Sequence, residues 1–218
     1  METISFERTN DLRKDILGVA ERMFQDYGYD ETTFQNIADT LGITKGAITY
    51  HFKNKHFIMG ELIQSSFGGI RDYIDAYPAY YRNAYWRYSV MYIYAYRIIL
   101  TNPHNESLFY HKHQVEQWEN MMVDTVRNIY GAITRDFHKT FTDEELLMAA
   151  LMDLGARWRL HEAYTKTPEL FTVDKFCYYH VYLLGCLSRL DEATIRENIE
   201  YAFEFTRTFP APVIPLFC

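Results

Sequence analysis

The sequence is poor in cysteine, with three among 218 residues, and this scarcity limits the kinds of site that the chain can build. Cys177, Cys186 and Cys218 show no paired CxxC spacing and no matching set of histidines, so we interpret them as reduced, buried structural thiols. His111 and His113 lie two residues apart and would face different directions on a helix, which makes a poor chelate. No metal site is predicted.

Long apolar runs and an excess of positive charge are also missing. The most apolar stretch, residues 88–100, is interrupted by Arg97 and is too short to cross a bilayer. Residues 1–13 are polar and acidic and lack the apolar core of a signal peptide, so we expect a cytoplasmic protein without a membrane span. The net charge of -7 argues against a protein that coats nucleic acid through bulk charge, and any such contact must come from a local patch.

Sequence signatures of catalysis are absent as well. The sequence contains no GxSxG, no glycine-rich phosphate loop and no HExxH. We therefore predict no catalytic residues and no cofactor. The hydrophobic content of 48% is enough to supply buried cores for a small module and for a second domain of ordinary size.

Helical periodicity dominates the chain, and no stretch shows sustained alternation with hairpin turn signals, so we predict an all-α fold. The first helix is indicated by an apolar stripe that ends before Gly28, which suits a left-handed C-terminal cap. The stripe consists of Ile16, Leu17, Ala20, Phe24 and Tyr27.

Two short helices follow the first one and are joined by a tight turn at residues 42–44. Thr32, with Gln35 three residues later, suits a capping box at the start of the first short helix, and Gly42 ends it. Thr44 can cap the second short helix. This layout is typical of a helix-turn-helix, in which the second helix enters the major groove of DNA.

The outward face of the second short helix carries the chemistry for a nucleic-acid contact. Ile48 and Phe52 form a buried pair at i and i+4. The residues left facing away from the core are Lys45, Gly46, Thr49 and Tyr50. The strong charges between residues 32 and 56 are Lys45, Lys53 and Lys55 against Asp39. Three lysines against one aspartate leave a balance of +2, which indicates a local basic patch in an acidic chain.

A longer helical pattern comes next, capped by Asn54 and ending before Pro78, with a length of about 30 Å. Lys55 lies in its first turn, where the helix dipole disfavours a cation, and an external phosphate would offset that misfit. An exposed lysine without functional meaning is the alternative. Further helices are predicted over 79–101, over 106–137 as one helix or two, and over 143–165, 173–190 and 192–208, with an extended, packed tail over 209–218.

The run TFQNIA at 33–38 and the run LGITKGAITYHFKNK at 41–55 strongly resemble the TetR family of transcriptional regulators. The resemblance covers about the first quarter of the chain. It implies phosphate contacts from Thr33, Thr44, Lys45, Tyr50, His51 and Lys55. It also implies that base edges are approached by Gly46, Ala47 and Thr49. Thr49 departs from the aromatic residue that many members carry, and packing of Tyr50 and His51 against the first helix is the alternative to a DNA contact.

The part of the chain after the helix-turn-helix is unusual in its tyrosines, of which the whole chain has 19. A series from Tyr81 to Tyr96 is predicted to lie along one helix face and offers both ring area and hydroxyls. Organic ligands are bound by apolar and aromatic walls with a few polar groups, and a tyrosine-rich core is the alternative. The predicted pocket residues are Ile63, Phe67, Tyr85, Tyr88, Tyr92, Tyr96, Trp118, Met122, Arg157 and Trp158.

The resemblance further implies a variable helical domain in which two late helices pair across a two-fold axis as a four-helix bundle. We place these helices at 143–165 and 173–190. Their apolar faces suit either a core or a dimer interface, and the sequence does not separate the two. The candidate interface residues are Leu147, Leu151, Leu154, Tyr179, Leu183 and Leu187.

Residue patterns and resemblance together predict a homodimeric repressor with a helix-turn-helix head at 1–56 and an effector-binding and dimerisation domain at 57–218. It would bind a pseudo-palindromic operator in double-stranded DNA and be released by a small aromatic or hydrophobic effector. The long fourth helix is the expected lever, with a bend at Gly68–Gly69. Two alternatives stay open: a DNA-binding regulator controlled by a protein partner, and an enzyme with an incidental helix-turn-helix.

Overall fold

The computed structural model describes residues 2–110, 115–167 and 169–214, with the side chains of 2–10 and 115–121 left out of the description. Across these residues the chain forms ten α-helices and a 3-10 turn at Pro78–Tyr80, and no β-strand, which confirms the all-α prediction. The helices are α1 Glu2–Tyr27, α2 Phe34–Leu41, α3 Lys45–His51, α4 Lys55–Asp75, α5 Ala84–Leu100, α6 Pro103–Phe109, α7 Val115–Asp136, α8 Asp143–Lys166, α9 Val173–Leu187 and α10 Glu192–Thr208.

The helices α1, α2 and α3 form a small head that packs on the start of α4. Ile37 and Ile48 are completely buried in its core. Gly28 ends α1 with φ of 83° and Gly42 ends α2 with φ of 64°, as predicted, because L side chains rarely adopt this left-handed conformation. The prediction that Tyr27 belongs to the buried stripe is wrong, because its side chain is exposed to solvent.

The cap of α2 lies one residue later than predicted. Thr33 is the N-cap, because its hydroxyl accepts a hydrogen bond from the Asn36 N–H and the Asn36 side chain accepts one from the Thr33 N–H, both at 3.1 Å. Thr32 is buried, and its hydroxyl donates to the Gly28 carbonyl at 2.8 Å. The box therefore pairs Thr33 with Asn36 instead of Thr32 with Gln35.

The predicted caps of α3 and α4 are confirmed. The Thr44 hydroxyl accepts from the Ala47 N–H at 3.2 Å, and the Asn54 side chain accepts from the His56 N–H at 3.0 Å. From this cap α4 continues through Gly68–Gly69 as one uninterrupted helix. A single long element therefore connects the head to the rest of the molecule.

The remaining helices surround α5, which packs against α4, α9 and α10. This central helix begins at Ala84, later than predicted, because Asn83 is its N-cap and the preceding residues form the 3-10 turn. Tyr81 consequently lies outside the helix and is half exposed. Tyr85 and Tyr92 are almost completely buried, so much of the tyrosine-rich face belongs to the core.

The region 106–137 contains parts of two helices, α6 and α7, in agreement with the second of the two interpretations. After α10 the chain is non-helical as far as Ile214, whose side chain is buried. The Tyr94 hydroxyl donates to the Phe209 carbonyl at 2.9 Å at the start of this tail. The tail is packed against the helices only in part, since Ile214 is buried whereas Ala211 and Val213 are exposed.

Candidate nucleic-acid interface and interior cavity

The solvent side of α3 presents a row of accessible residues. Ile48 is completely buried and Phe52 is 1% exposed, and these two side chains fix how α3 lies on the head. The resulting orientation leaves Tyr50 79% exposed. Thr44, Lys45, Gly46 and Thr49 are also exposed, while Ala47 and His51 are half-buried. The structure thus brings together the residues predicted to approach base edges and most of those predicted to contact phosphate.

Local contacts position the side chains of this face. The Thr49 hydroxyl donates to the Lys45 carbonyl at 2.9 Å, which leaves its oxygen free to accept. The ring of Tyr50 meets the ring of His51 edge-on, with centroids 5.1 Å apart. Thr33, exposed at the start of α2, uses its hydroxyl for the cap described above. The face therefore combines ordered polar groups with one ring that reaches into solvent.

Lys55 departs from its predicted role. Its ammonium group donates to the carbonyl oxygens of Tyr29, Asp30 and Thr32, the last at 2.8 Å, and lies 4.0 Å from the centroid of the Tyr29 ring. An ammonium has three donors, and the loop between α1 and α2 uses all of them. Burial lowers the pKa of Lys55, opposed by the charges of Asp30 and Glu31. A phosphate contact does not fit this arrangement, because it would have to displace these carbonyl oxygens.

A second contact joins the same loop to α4. Tyr29 Oη lies 2.7 Å from His56 Nδ1. Burial, followed by the charge of Lys55, lowers the pKa of His56, which favours the neutral ring that can accept the tyrosine proton. The start of α4 is therefore fastened to the head at two adjacent residues.

A cavity of about 370 Å³ lies between α4, α5, α7 and α8. The predicted pocket residues that line it are Phe67, Tyr88, Tyr92, Met122 and Arg157. The lining residues that were not predicted are Gln64, Gly68, Arg71, Met91, Thr125, Asn128 and Ile129. Gln64 lies three residues before Phe67 and Arg71 four residues after it on one face of α4, and this periodicity is the signal that would have found them.

The other predicted pocket residues whose side chains are described do not line this cavity. Tyr85 and Tyr96 turn towards α9, and Ile63 is buried in the core. Trp158 is half-buried beside the end of α6. The side chain of Trp118 lies outside the described residues. A periodic stripe cannot distinguish a cavity wall from a helix contact on the same side.

A buried ion pair belongs to the inner wall of the cavity. Arg157 Nη2 is 2.6 Å from Asp153 Oδ2 and 2.6 Å from the hydroxyl oxygen of Tyr92. The side chains of Arg157 and Asp153 are 9% and 0% exposed. Burial raises the pKa of Tyr92 to about 12 although the charge of Arg157 opposes it, so the phenol stays neutral at physiological pH.

His180 joins this polar cluster from α9. Its ring lies edge-on to Tyr92 and Tyr96, with centroid distances of 4.6 and 5.0 Å. Burial, followed by the charge of Arg157, lowers the pKa of His180 to about 3 and keeps the ring neutral. His180 and Asp153 were not among the predicted site residues. Their signal was the presence of a polar residue at the buried position of an otherwise apolar helix face.

Four large apolar side chains protrude from the neighbouring helices α8 and α9: Met148, Leu151, Met152 and Tyr179. The predicted interface residues Leu147, Leu183 and Leu187 are half-buried. Leu154 is 5% exposed and belongs to the core of the same chain, so its assignment to an interface is wrong. An outward apolar face is typical of a surface that another protein covers.

The described cysteines differ in environment. Cys177 is buried, as predicted, but Cys186 is exposed on α9, which corrects the prediction for that thiol. Cys218 lies outside the described residues. Among the residues that the structure describes, no group of three or more His, Cys, Asp or Glu side chains is placed to hold a metal ion. The helices of this part of the chain are all too short or too polar to cross a membrane.

Comparison with known proteins relates the head to one family. The model of the bacterial regulatory proteins, tetR family, matches residues 16–62. The HTH-type transcriptional regulator TtgR of Pseudomonas putida is 39% identical over 59 residues, which are 27% of this chain and 28% of that protein. The regulator AcrR of Shigella flexneri is 34% identical over 73 residues, 34% of each protein. The matched segment thus spans at most about a third of the length of these two relatives.

Similarity of fold extends over nearly the whole chain. The crystal structure of RolR in complex with resorcinol matches 95% of this chain and 98% of its own, with a TM-score of 0.59 and 13% identity. TylP, a tetR regulator of Streptomyces fradiae, matches 97% of each chain with a TM-score of 0.50 and 16% identity. At such identities the likeness concerns the fold alone. The family model and the relatives TtgR and AcrR identify residues 16–62 as a helix-turn-helix head of the TetR family of bacterial regulatory proteins.

Proposed function

We propose that the chain is a transcriptional repressor that binds a pseudo-palindromic DNA operator as a homodimer. The observation that carries this proposal is the accessible polar face of α3, with Tyr50 79% exposed. Two such faces in a dimer would enter successive major grooves about 34 Å apart. The names of TtgR and AcrR, both transcriptional regulators, support a role in transcription.

In this proposal residues 1–56 are the DNA-binding head and residues 57–218 are the effector-binding and dimerisation domain. The phosphate contacts come from Thr33, Thr44, Lys45, Tyr50 and His51. The base edges are approached by Gly46, Ala47 and Thr49. Lys55 instead supports the loop behind the interface, because its donors are already engaged there.

A small organic effector would occupy the cavity between α4, α5, α7 and α8. The cavity volume of about 370 Å³ is ordinary for a small-molecule site, and Phe67, Tyr88 and Met122 supply apolar and aromatic wall. RolR, which is similar in fold, has been crystallised with resorcinol, and this supports a small aromatic effector here. A well-filled core would favour control by a protein partner, so the cavity argues for the effector.

The helix α4 is the proposed connection between the two sites. It contacts the head through Lys55 and His56, and Phe67 and Gly68 of the same helix line the cavity. An effector can shift the position of the heads only if it binds the DNA-competent and the released conformations with different affinities. We propose that a filled cavity favours a tilt of α4 at which the two heads no longer fit the operator.

The test is a fluorescence-anisotropy titration of the full chain with the DNA upstream of its own gene, in a series of salt concentrations. Saturable binding that weakens as salt rises is expected, because phosphate contacts release counterions. Lys45→Ala and Tyr50→Ala should each weaken binding by about tenfold. Their matched controls are Lys139→Ala and Tyr80→Ala, an exposed lysine and a half-exposed tyrosine outside the head, which should bind as the unmodified chain does.

Two results would contradict the proposal. Failure to prefer the upstream DNA, together with failure to select any sequence from the whole genome, would mean that the head does not read DNA. If Tyr50→Ala and Tyr80→Ala bind the upstream DNA with equal affinity, the exposed face of α3 is not the DNA-reading surface. The effector part is tested separately, since a compound that fills the cavity and leaves operator affinity unchanged would contradict it.

A further inference from the structure

The polar cluster at the inner wall of the cavity contains more hydrogen-bonding groups than its own members satisfy. Among the described residues, Arg157 Nε, both ring nitrogens of His180 and the hydroxyl of Tyr96 are buried without a hydrogen-bond partner, and Asp153 Oδ1 has only the nearby hydroxyl of Tyr130 to pair with. Each buried polar group left unpaired costs about 1–3 kcal/mol. Several unpaired polar groups in one place indicate that a ligand from outside the chain forms hydrogen bonds with them.

The cluster is connected to the cavity through two side chains. Arg157 and Tyr92 both line the cavity and are hydrogen-bonded to each other at 2.6 Å. The same guanidinium holds Asp153, and the ring of Tyr92 packs against His180. A ligand that enters past Phe67 and Met122 would therefore meet these polar groups at its inner end.

The charges in the cluster cancel. The carboxylate of Asp153 is paired with the guanidinium of Arg157 at 2.6 Å, and His180 is neutral. An ionic group that reaches this cluster would lose its water and find no unpaired counter-charge there, which is unfavourable in a buried site. Arg71, the other charged residue of the cavity wall, is 47% exposed, so its charge is screened by solvent. The cluster thus favours a ligand group that has no net charge.

The atoms of the cluster include both kinds of hydrogen-bonding group. Arg157 Nε is a donor only, Asp153 Oδ1 is an acceptor only, and each tyrosine hydroxyl can do either. A neutral imidazole offers one donor and one acceptor. A hydroxyl group both donates and accepts, so it can satisfy members of both kinds at once, whereas an ether, a ketone or a hydrocarbon cannot.

We propose that the effector is an uncharged aromatic compound that carries at least one hydroxyl group, which it directs at Arg157 and Asp153. Its ring lies against the apolar part of the cavity, where Phe67, Met91 and Ile129 supply the wall. This proposal rests on the proposed function for the role of the ligand as an effector. The binding preference itself concerns the cavity and can be measured without DNA.

The experiment is isothermal titration calorimetry of the full chain at pH 7 with three matched pairs of probes. The pairs are phenol and benzoate, 4-ethylphenol and 4-ethylbenzoate, and 2-naphthol and 2-naphthoate. Phenols are neutral at this pH because their pKa is near 10, whereas the carboxylates are ionised. At least one phenol should bind, and its carboxylate partner should bind at least about tenfold more weakly.

Asp153→Asn gives the sharper test because it leaves Arg157 with an unpaired positive charge. In this variant the ratio of the carboxylate's dissociation constant to the phenol's should fall by at least about tenfold within each pair. Asp143→Asn, which changes an exposed aspartate at the start of α8, is the matched control and should keep the original preference. Circular dichroism checks that both variants are folded, and the comparison in the unmodified chain is decisive even if Asp153→Asn does not fold.

Three results would overturn the proposal: equal or tighter binding of the carboxylates by the unmodified chain, no phenol bound up to about 1 mM, or an unchanged preference in folded Asp153→Asn. Operator binding is measured on the same samples. Preferential phenol binding without release of DNA would support the ligand class and contradict the proposed effector role. Release of DNA by compounds other than neutral hydroxyarenes, with no phenol bound, would support the effector role and contradict the proposed ligand class.

Discussion

The side chain of Lys55 is a structural support for the head. A cation in the first turn of a helix is disfavoured by the helix dipole, and here three backbone carbonyls of the loop between α1 and α2 offset that misfit. The hydrogen bonds of Lys55 therefore connect α4 to the loop and offset the unfavourable position of its charge in the helix.

Lys55→Met should lower the free energy of unfolding by about 1–3 kcal/mol, because it removes hydrogen bonds between a charged group and part-buried carbonyls. Lys53→Met is the matched control, since Lys53 is exposed nearby and its replacement should change stability by less than about 0.5 kcal/mol. Urea denaturation followed by circular dichroism measures both. Equal stabilities of the two variants would mean that the contacts of Lys55 contribute nothing in solution.

Two buried tyrosines of α5 differ in one hydrogen bond and should respond differently to loss of the hydroxyl. Tyr85 and Tyr96 are both completely buried. The hydroxyl of Tyr85 donates to the Val181 carbonyl at 2.8 Å, whereas that of Tyr96 has no partner within the described part of the chain. Tyr85→Phe should lower the free energy of unfolding by about 1 kcal/mol, and Tyr96→Phe should leave it unchanged or raise it by up to about 1 kcal/mol.

Thermal and urea unfolding of the ligand-free protein measure this pair. A loss of stability in Tyr96→Phe as large as that in Tyr85→Phe would show that the Tyr96 hydroxyl is already satisfied in the empty protein. A bound water in the polar cluster would have that effect.

His180 makes the stability of the fold depend on pH. Its pKa is about 3 in the folded chain and near 6.5 in an unfolded one, since burial and the charge of Arg157 disfavour the imidazolium. Its contribution to stability is therefore fully present above pH 6.5 and is lost as pH falls towards 3. Between pH 6.5 and 4.5 the protein should lose about 2 kcal/mol through this single group.

The comparison of His180→Gln with His104→Gln isolates that contribution. His104 is exposed at the start of α6, so its replacement should keep the pH dependence of the unmodified chain. His180→Gln should flatten the decrease in unfolding free energy between pH 6.5 and 4.5, measured by urea denaturation at each pH. Parallel curves for the two variants would mean that the folded chain protonates His180 as readily as the unfolded one.

At the scale of the elements, α9 approaches α5 and α10 closely at Gly185. A Cβ atom at this position would lie 2.6 Å from Ile195 Cγ1 and 2.8 Å from the hydroxyl oxygen of Tyr85. Such distances are shorter than van der Waals contact, so the helices can pack this closely only because the residue has no side chain. The same approach allows Tyr85 to reach the α9 backbone.

Gly185→Ala should accordingly lower the free energy of unfolding by about 1–3 kcal/mol through overpacking, although alanine is the better helix former. Gly18→Ala on α1 is the control, because no described atom lies within 4 Å of a Cβ at that position. It should raise stability by up to about 1 kcal/mol through helix propensity. Thermal unfolding of both variants checks the opposite signs, and a stabilised Gly185→Ala would contradict the close approach.

The helix ends could be predicted from the sequence wherever a residue has one local role. Gly28 and Gly42 end their helices because of backbone conformation, and Thr44 caps because of its hydroxyl. The prediction failed by one position where two candidate caps, Thr32 and Thr33, are adjacent. Local spacing cannot decide between them, since burial of Thr32 under the loop is a tertiary effect.

The site could be predicted less completely than the helices. The exposed face of α3 follows from a short amphipathic pattern, but the cavity wall depends on which neighbour each face meets. Phe67 and Tyr92 line the cavity, whereas Tyr96, one turn after Tyr92, contacts α9. The role of Lys55 was also out of reach, because its carbonyl partners belong to the backbone of a distant loop.

At the scale of the whole molecule, the outward faces of α8 and α9 indicate where a second copy would bind. Leu151 and Met152 of α8 are 45% and 57% exposed and Tyr179 of α9 is 43% exposed, which is unusual for large apolar side chains on neighbouring helices. A pair of such faces related by a two-fold axis would bury them against each other. We propose this surface as the dimer interface on which operator binding depends.

Leu151→Glu should raise the dissociation constant of the dimer by at least about tenfold, because a carboxylate would lose its water at the interface. Sedimentation velocity over a concentration series measures this change. Val213→Glu, which alters an exposed apolar side chain of the tail, is the control and should remain dimeric. A dimer that tolerates Leu151→Glu would require a different interface.

The two contacts that fasten the start of α4 to the head give the molecule mechanical leverage. Because Lys55 and His56 tie this end to the loop of the head, the head must travel with the helix instead of pivoting on it. A rigid rod of about 30 Å that tilts by roughly 10° displaces its far end by about 5 Å. Under the proposed mechanism, small side-chain shifts around a bound aromatic ligand would thus move the two heads out of register with DNA, whose helical repeat is fixed.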